Sequence, residues 1–521
     1  CLYQFPRRFS AVKMLTHSDI WRSVSVAIIL CCAVVSSAVG AQGNGLIVIS
    51  YDAFRNDYLR RNITPHLNKF RDDGTSVPFM RNVFPTKTFP NHHTIATGVY
   101  PEVHGVTANS VFDRASGKKL EYGYELFHYT EDVIPIWTLN EMKGHHSGCM
   151  MWPGSDFSFS GRNCTHTVAY NKTISWDERV DMAISWLRHK EKPANLIMMY
   201  FEDPDTHGHI YGPDSTIIRD LIIKLDDLTA SIQKKLKDNN LADRVNVIHL
   251  SDHGMEGVSS AKFIDLRKFV TNGTCDYYGT SPVLQVVPHS GKFDDVYGEL
   301  KKGAQANGHF KVFSNAELLK RWHFNNTART GPITVLADAG YGFQDMYDAA
   351  EYYAKKYNVT FTPQHEYGVH GYDNEGLPSM YSMFMAKGPD FQEHKVLTPF
   401  DTVDLYSLFV KILNITSPPA TNGTFAHVAE ALRSPSNQEK SSATPKDPKV
   451  SAVIVALGSA MVSFSIVSFL ATFVVLAVRR KRAREAAEEV PASGSHEVTL
   501  LLKTNSRSSS ESSTGTETDV I

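Results

Sequence analysis

The chain has 521 residues, a formal net charge of −2 and 42% hydrophobic residues. Near-neutrality gives no argument for nucleic-acid affinity or for a strongly acidic binding surface. The length is too great for one ordinary core but suits one large α/β domain with tails.

An apolar segment over 24–39 follows Arg22 and closes on Ala38-Val39-Gly40-Ala41, the make-up of a cleavable secretory signal. Met14 lies at the right distance to start that signal, which would make residues 1–13 upstream sequence, so 1–41 are set apart. Gly45 to Tyr51 is then a continuous apolar, β-branched run ending in Asp52. A run apolar on both faces predicts a buried parallel strand. The stretch 85–94, PTKTFPNHHT, is dense in hydroxyls and imidazoles, and Pro85 and Pro90 bracket Thr86 to Phe89. Proline fixes φ, so a hydroxyl between two prolines is held to few orientations.

Two later stretches repeat the first strand's design: 195–205, ending in Glu202-Asp203-Pro204-Asp205, and 245–254, ending in Ser251-Asp252-His253-Gly254. Helical patterns over 176–190 and 215–237 lie between them. Strands alternating with helices predict an α/β fold, a mostly parallel central sheet with helices on both faces. Ligands bind beyond the C-terminal strand ends in such sheets, where Asp52, Asp205 and Asp252 all fall.

From 265 to 364 the pattern is less regular, 384–389 reads as a further strand, and 405–413 as the last helix of the domain. The expected domain is 45–432, followed by a stalk at 433–449. Residues 450–478 are uncharged and apolar, and Arg479, Arg480, Lys481, Arg482 and Arg484 follow. This predicts one C-terminal transmembrane helix of type I topology, at the plasma membrane, with the large domain extracellular or lumenal in endosomal compartments. The tail, 479–521, reads as disordered and cytoplasmic. Within it, Glu497 to Leu502 fits a sorting-adaptor signal, and the free carboxylate after Ile521 suits a PDZ-type partner. Sequons at Asn62, Asn163, Asn171, Asn272, Asn325, Asn358, Asn414 and Asn422 fit a glycosylated exterior. Beyond the signal the cysteines are Cys149, Cys164 and Cys275. The short intervening loop favours pairing Cys149 with Cys164, which leaves Cys275 free or paired with another chain.

A hydroxyl is a poor nucleophile unless its proton or charge is drawn off. No Ser-His-Asp spacing is evident, but carboxylates and imidazoles gather at strand ends. Asp205 and His209 are four residues apart and share a helical face, with His207 off it. Asp252-His253 can ligate one ion from the irregular turn that Gly254 permits. His370 lies in a glycine-flanked loop. Asp52, Asp205, His209, Asp252, His253 and His370 around Thr88 suffice for two metal ions. Ions about 3.5–4 Å apart can hold the attacking and leaving oxygens of a phosphoryl displacement.

The motifs Tyr51-Asp52-Ala53-Phe54-Arg55, Thr86-Lys87-Thr88-Phe89-Pro90-Asn91-His92, Gly105 to Asn109, Met151 to Asp156, Glu202 to Asp205 with His209, Ser251 to Met255 and His370 to Asn374 resemble the ectonucleotide pyrophosphatase/phosphodiesterase family of the alkaline phosphatase superfamily. The resemblance runs from about Gly45 to Leu432 and is strongest to the short members, types 4 and 5. It implies an alkaline-phosphatase-like fold, a Thr88 nucleophile that becomes phosphorylated, and two Zn2+. Asp52, Asp252 and His253 would hold one ion, in contact with Thr88. Asp205, His209 and His370 would hold the other. Asn109 would donate to a phosphate oxygen, and Phe89 and Tyr170 would sandwich a nucleobase. Ala53 departs from the family's usual glycine, which alanine can replace if φ is negative there. Lys87 follows the family; His92 and His93 are expected to be structural.

The expected function is hydrolysis of phosphodiester or pyrophosphate bonds of extracellular nucleotides to nucleoside 5′-monophosphates. The small-molecule nucleotide is the partner, and no nucleic acid is expected. The rivals are a lipid or choline phosphodiesterase sharing the metal site, and a catalytically idle adhesion or receptor ectodomain. Phe89, Tyr170 and Trp152 favour a base over an acyl chain.

Overall fold

In the computed structural model, the described residues are 44–358, 360–362, 364–434, 472 and 474–482. The chain divides into one compact unit over 38–442 and a second formed by the two ends. The larger unit is built on an eight-stranded sheet. Its spatial order is Lys395–Val396, Thr75–Ser76, Phe384–Lys387, Val245–Leu250, Gly45–Tyr51, Ala194–Phe201, His146–Met150 and His166–Val168. Gly45–Tyr51 is central and parallel to Ala194–Phe201 on one side and Val245–Leu250 on the other. Phe384–Lys387 runs antiparallel to Val245–Leu250.

Alternate residues of these strands feed two cores. Leu46, Val48, Leu196, Met198, Ile248 and Leu250 point to one face, against Ile95 and Ala96 of helix Thr88–Thr97 and Leu408 and Phe409 of helix Leu405–Ile412. Ile47, Ile49, Ile197, Met199, Val245 and Val247 point to the other, against helices Pro65–Asp73, Trp176–Leu187 and Thr216–Asp238. A strand covered on both faces must be apolar throughout, which is why the runs lack alternation. Each such side chain contributes roughly 1.5–3 kcal/mol on burial. Ser175 caps Trp176–Leu187 reciprocally with Glu178, and the Ser215 hydroxyl accepts from Ile218 N at the start of Thr216–Asp238.

The irregular stretch holds a second sheet. Cys275–Thr280, Val283–Pro288, Ile333–Ala337 and Phe310–Ser314 pair antiparallel, in that order, and helix Phe293–Asn307 shares their own core. Cys149 and Cys164 form a disulfide, and Cys275 is free.

The α/β architecture is as expected, but the transmembrane helix over 450–478 is corrected. No helix among the described residues is long and apolar enough to cross a membrane. The described stretch 474–482 is helical, but it is short against the ~20 residues a span needs and is basic from Arg479 on. The rest of 450–478, the signal segment within 1–41, the stalk from 435 and the tail beyond 482, with its sorting and carboxylate motifs, lie outside the described residues. The eight sequon asparagines are all exposed.

Candidate active site

Because Gly45–Tyr51, Ala194–Phe201 and Val245–Leu250 are parallel, their C-terminal ends lie along one edge, and the loops leaving them carry Asp52, Asp205 and Asp252. Backbone bonds join these loops: Asp52 N donates to Phe201 O, and Asp205 N to Asp52 O. Thr88 is the first residue of helix Thr88–Thr97. The turn before it is fixed by Asn91, whose amide donates to Pro85 O and Lys87 O and whose carbonyl accepts from Val83 N. Thr86 joins this turn to the His370 loop. Its carbonyl accepts from His370 Nδ1, and its hydroxyl accepts from Gly371 N and donates to Tyr372 O.

Six side chains fall into two triads, Asp52–Asp252–His253 and Asp205–His209–His370. In the first, His253 Nε2 lies 3.4 Å from Asp52 Oδ1, 3.0 Å from Asp252 Oδ2 and 3.3 Å from Thr88 Oγ1. In the second, Asp205 Oδ1 is 3.3 Å from His209 Nε2 and 3.4 Å from His370 Nε2, and the two nitrogens are 3.2 Å apart. The His253 and His370 rings stack at 3.7 Å and so place the triads side by side.

The donor set tests whether these residues suit a cation. His253, His209 and His370 each donate Nδ1–H to a backbone carbonyl, of Gly254, Gly368 and Thr86. Each Nε2 lone pair therefore points into its cluster, and those of His209 and His370 face one another. Asp52 Oδ1, Asp205 Oδ1 and Asp252 Oδ2 are buried without a hydrogen-bond partner. Buried lone pairs and carboxylate oxygens facing each other are unfavourable unless a cation lies among them. Four ligands at about 2.0–2.1 Å from a tetrahedral zinc stand roughly 3.3 Å from one another, so the spacings fit.

The electrostatics agree. Burial, then the charges of Asp252 and Asp205, push the Asp52 carboxyl well above its usual range. Burial, then His253, Lys87 and His209, hold His370 well below the usual imidazole range. His209 is raised: burial opposes its charge, but Asp205 and the Gly368 carbonyl outweigh that. The raised Asp52 and His209 reflect neighbouring carboxylates that lack a balancing cation, whereas His370 is kept neutral by burial and by its cationic neighbours, as a ligand lone pair requires.

Around the triads, Asn109 Oδ1 accepts from Phe89 N at 2.9 Å, which turns the Asn109 amide nitrogen away from the helix. Phe89 is half-buried against Tyr122 and Phe127, at 5.3 and 5.6 Å. Tyr170 is 47% exposed, beside Tyr200 at 6.2 Å, and its phenol is raised by burial and by Glu202, Asp52 and Asp205. The two rings thus rest on different supports, with Tyr170 in electrostatic reach of the carboxylates. Lys87 is buried and donates to Thr280 Oγ1 and Ser281 O, joining the turn before Thr88 to the second sheet. His207 pairs with Asp203, outside both triads.

Three features depart from sequence expectation or escape it. Ala53 has φ 56°, not a negative value, because its N–H must reach Asp252 Oδ1. His92 is satisfied, with Nδ1 2.8 Å from Thr88 O and Nε2 2.9 Å from Ser50 Oγ, but both ring nitrogens of buried His93 lack partners. Asn91 and Tyr200, whose hydroxyl donates to Asp52 Oδ2, support the site and carried no usable sequence signal, since each reads locally as a turn or strand residue.

Over residues 46–373 the sequence matches the family described as type I phosphodiesterase / nucleotide pyrophosphatase. It is 35% identical over 394 residues to human ectonucleotide pyrophosphatase/phosphodiesterase family member 5, covering 75% of this chain and 78% of that one. It is 34% identical over 383 residues to the bis(5′-adenosyl)-triphosphatase of Xenopus laevis, covering 73% and 80%. The fold superposes on murine family member 5, an inactive threonine-to-alanine form in complex with AMP, with a TM-score of 0.67 and 34% identity over 75% of this chain and all of that one.

Proposed function

The chain belongs to the ectonucleotide pyrophosphatase/phosphodiesterase family, and from that premise we propose that it hydrolyses phosphodiester or pyrophosphate bonds of nucleotides to nucleoside 5′-monophosphates, with Thr88 as nucleophile and two Zn2+ as cofactors. The observation that carries the reading is the place of the Thr88 hydroxyl, 3.3 Å from His253 Nε2 of the first triad, whose Asp52 Oδ1 and Asp252 Oδ2 are buried without donors. Asp52, Asp252 and His253 would hold one ion, and Asp205, His209 and His370 the other. Bound there, the ions would supply Lewis acidity that lowers the hydroxyl pKa and polarises a phosphate oxygen.

The chain's own residues do the rest. The Asn91-braced turn presents Thr88 Oγ1, which attacks phosphorus as the bond to the leaving oxygen breaks, giving a nucleotidyl-threonine. Water then cleaves the new ester and frees the monophosphate. Asn109, with its carbonyl engaged by Phe89 N, turns its N–H2 toward a non-bridging oxygen, where such a donor stabilises developing charge by about 2.7–4 kcal/mol. Phe89 and Tyr170 stack the base. The AMP complex and the inactive threonine variant of a relative support this assignment. The disulfide and the exposed sequons support a catalytic domain on the extracellular or lumenal side.

The test is product identification with zinc present, using diadenosine triphosphate, NAD, ATP and lysophosphatidylcholine in turn. AMP release abolished by chelator is expected, and Thr88→Ala should lower turnover by at least about 10³-fold. Equal turnover by Thr88→Ala and wild type would overturn the mechanism. Release of choline or phosphocholine alone would move the substrate to a lipid.

A further inference from the structure

We propose that Tyr200 is a positioning residue: its hydroxyl selects which oxygen of Asp52 faces the first triad, and so sets that triad's affinity for its ion. The inference rests on the two-ion reading above.

The two carboxylates of this triad are oriented by different means. Asp252 Oδ1 accepts from two backbone amides, Ala53 N at 3.1 Å and His253 N at 2.9 Å, so the fold itself turns Oδ2 inward. Asp52 Oδ2 takes its hydrogen bond from a side chain, the Tyr200 hydroxyl. With Oδ2 engaged, Oδ1 is the oxygen left unpartnered, and it is the one 3.4 Å from His253 Nε2. A carboxylate free to turn about its Cβ–Cγ bond would offer either oxygen, and ordering it would cost part of the binding energy.

Tyr200 is held without help from any ion. It pairs in register with Ser50 on the central strand and is 8% exposed. Its ring meets His92 edge-on at 5.2 Å, and His92 in turn is held by Thr88 O and Ser50 Oγ. A second aromatic ring beside it is Tyr170, at 6.2 Å. One residue therefore touches a carboxylate of the triad, the nucleophile's helix and the exposed aromatic wall. Phenylalanine at this position keeps the ring contacts and deletes only the donor.

The experiment compares Tyr200→Phe with wild type by titrating Zn2+ into the metal-stripped protein against a chromophoric chelator. One of two binding steps should weaken by about 10–100-fold and the other stay unchanged. The unchanged step reports that the fold is intact. In parallel, kcat at saturating zinc should recover while KM for a nucleotide substrate does not move, because the ring beside Tyr170 remains. Two unchanged steps would overturn the proposal. Equal weakening of both steps would also overturn it, since that marks a general structural loss. Wild-type protein taking up fewer than two ions would instead overturn the two-ion reading on which the proposal stands.

Discussion

Ala53 shows how one residue holds strain beside a site. A β-carbon in the left-handed region costs about 1–2 kcal/mol, and a flexible glycine costs about 0.5–1 kcal/mol in its place. Ala53→Gly should therefore raise stability by about 0.5–1 kcal/mol, read as a higher urea midpoint with the same m-value. His249 carries a different cost. It is buried on strand Val245–Leu250 between Tyr51 and Phe70, with neither ring nitrogen bonded, and burial pushes it down to about 3. Between the unfolded value near 6.5 and about 3, the unfolded chain binds a proton that the folded protein does not. Stability therefore falls as pH falls through that window, by about 1.4 kcal/mol per unit. His249→Leu should remove this slope, shrinking the stability difference between pH 7 and pH 5 by about 2 kcal/mol in urea unfolding. An unchanged difference would show that the imidazole is not buried neutral.

At the scale of elements, the site is assembled from loops that need partners outside the main sheet. Trp322 stacks on Phe84 at 4.1 Å and donates from Nε1 to Asp373, while Arg321 grips Asp373 with both terminal nitrogens. One short segment thus supports both the turn that leads to Thr88 and the loop that follows His370. Trp322→Ala should cost about 3–5 kcal/mol. It should also lower kcat more than it raises KM, because it loosens the two loops against each other rather than the base wall. Thermal unfolding and steady-state kinetics on one preparation check both. The disulfide joins strand His146–Met150 to the loop that leads into the edge strand His166–Val168, across a sequence separation of 15. Replacing Cys149 and Cys164 with serine should cost about 3 kcal/mol, measured as a lower urea midpoint, with wild type falling to the same value under reductant.

At the scale of the whole molecule, the buried carboxylates of Asp52 and Asp252 and the partly buried one of Asp205 meet where three strands end, and their mutual repulsion opposes folding unless a cation is bound. Metal removal should therefore destabilise the entire unit. A ligand present at 100-fold its Kd contributes about 2.7 kcal/mol, so chelation should lower Tm by several degrees and added Zn2+ should restore it. A Tm indifferent to chelator would argue against ions at the triads. The sequence by itself determined the central strands, because a strand covered on both faces must be apolar along its length, and such runs are local. It also placed Asp52, Asp205 and Asp252 along one sheet edge, since parallel strands end together. Motifs in their order disclosed the family. The tertiary structure alone decided what depends on contacts between distant residues. The second sheet within 265–364 has short strands that give only an irregular pattern until they pair. The positive φ of Ala53 is imposed by a carboxylate 199 positions on. Asn91 and Tyr200 show their roles only once the turn before Thr88 and the first triad stand beside them. Hydrophobic pattern is written residue by residue along the chain, whereas the orientation of a buried polar group is set by whichever donor the fold brings to it.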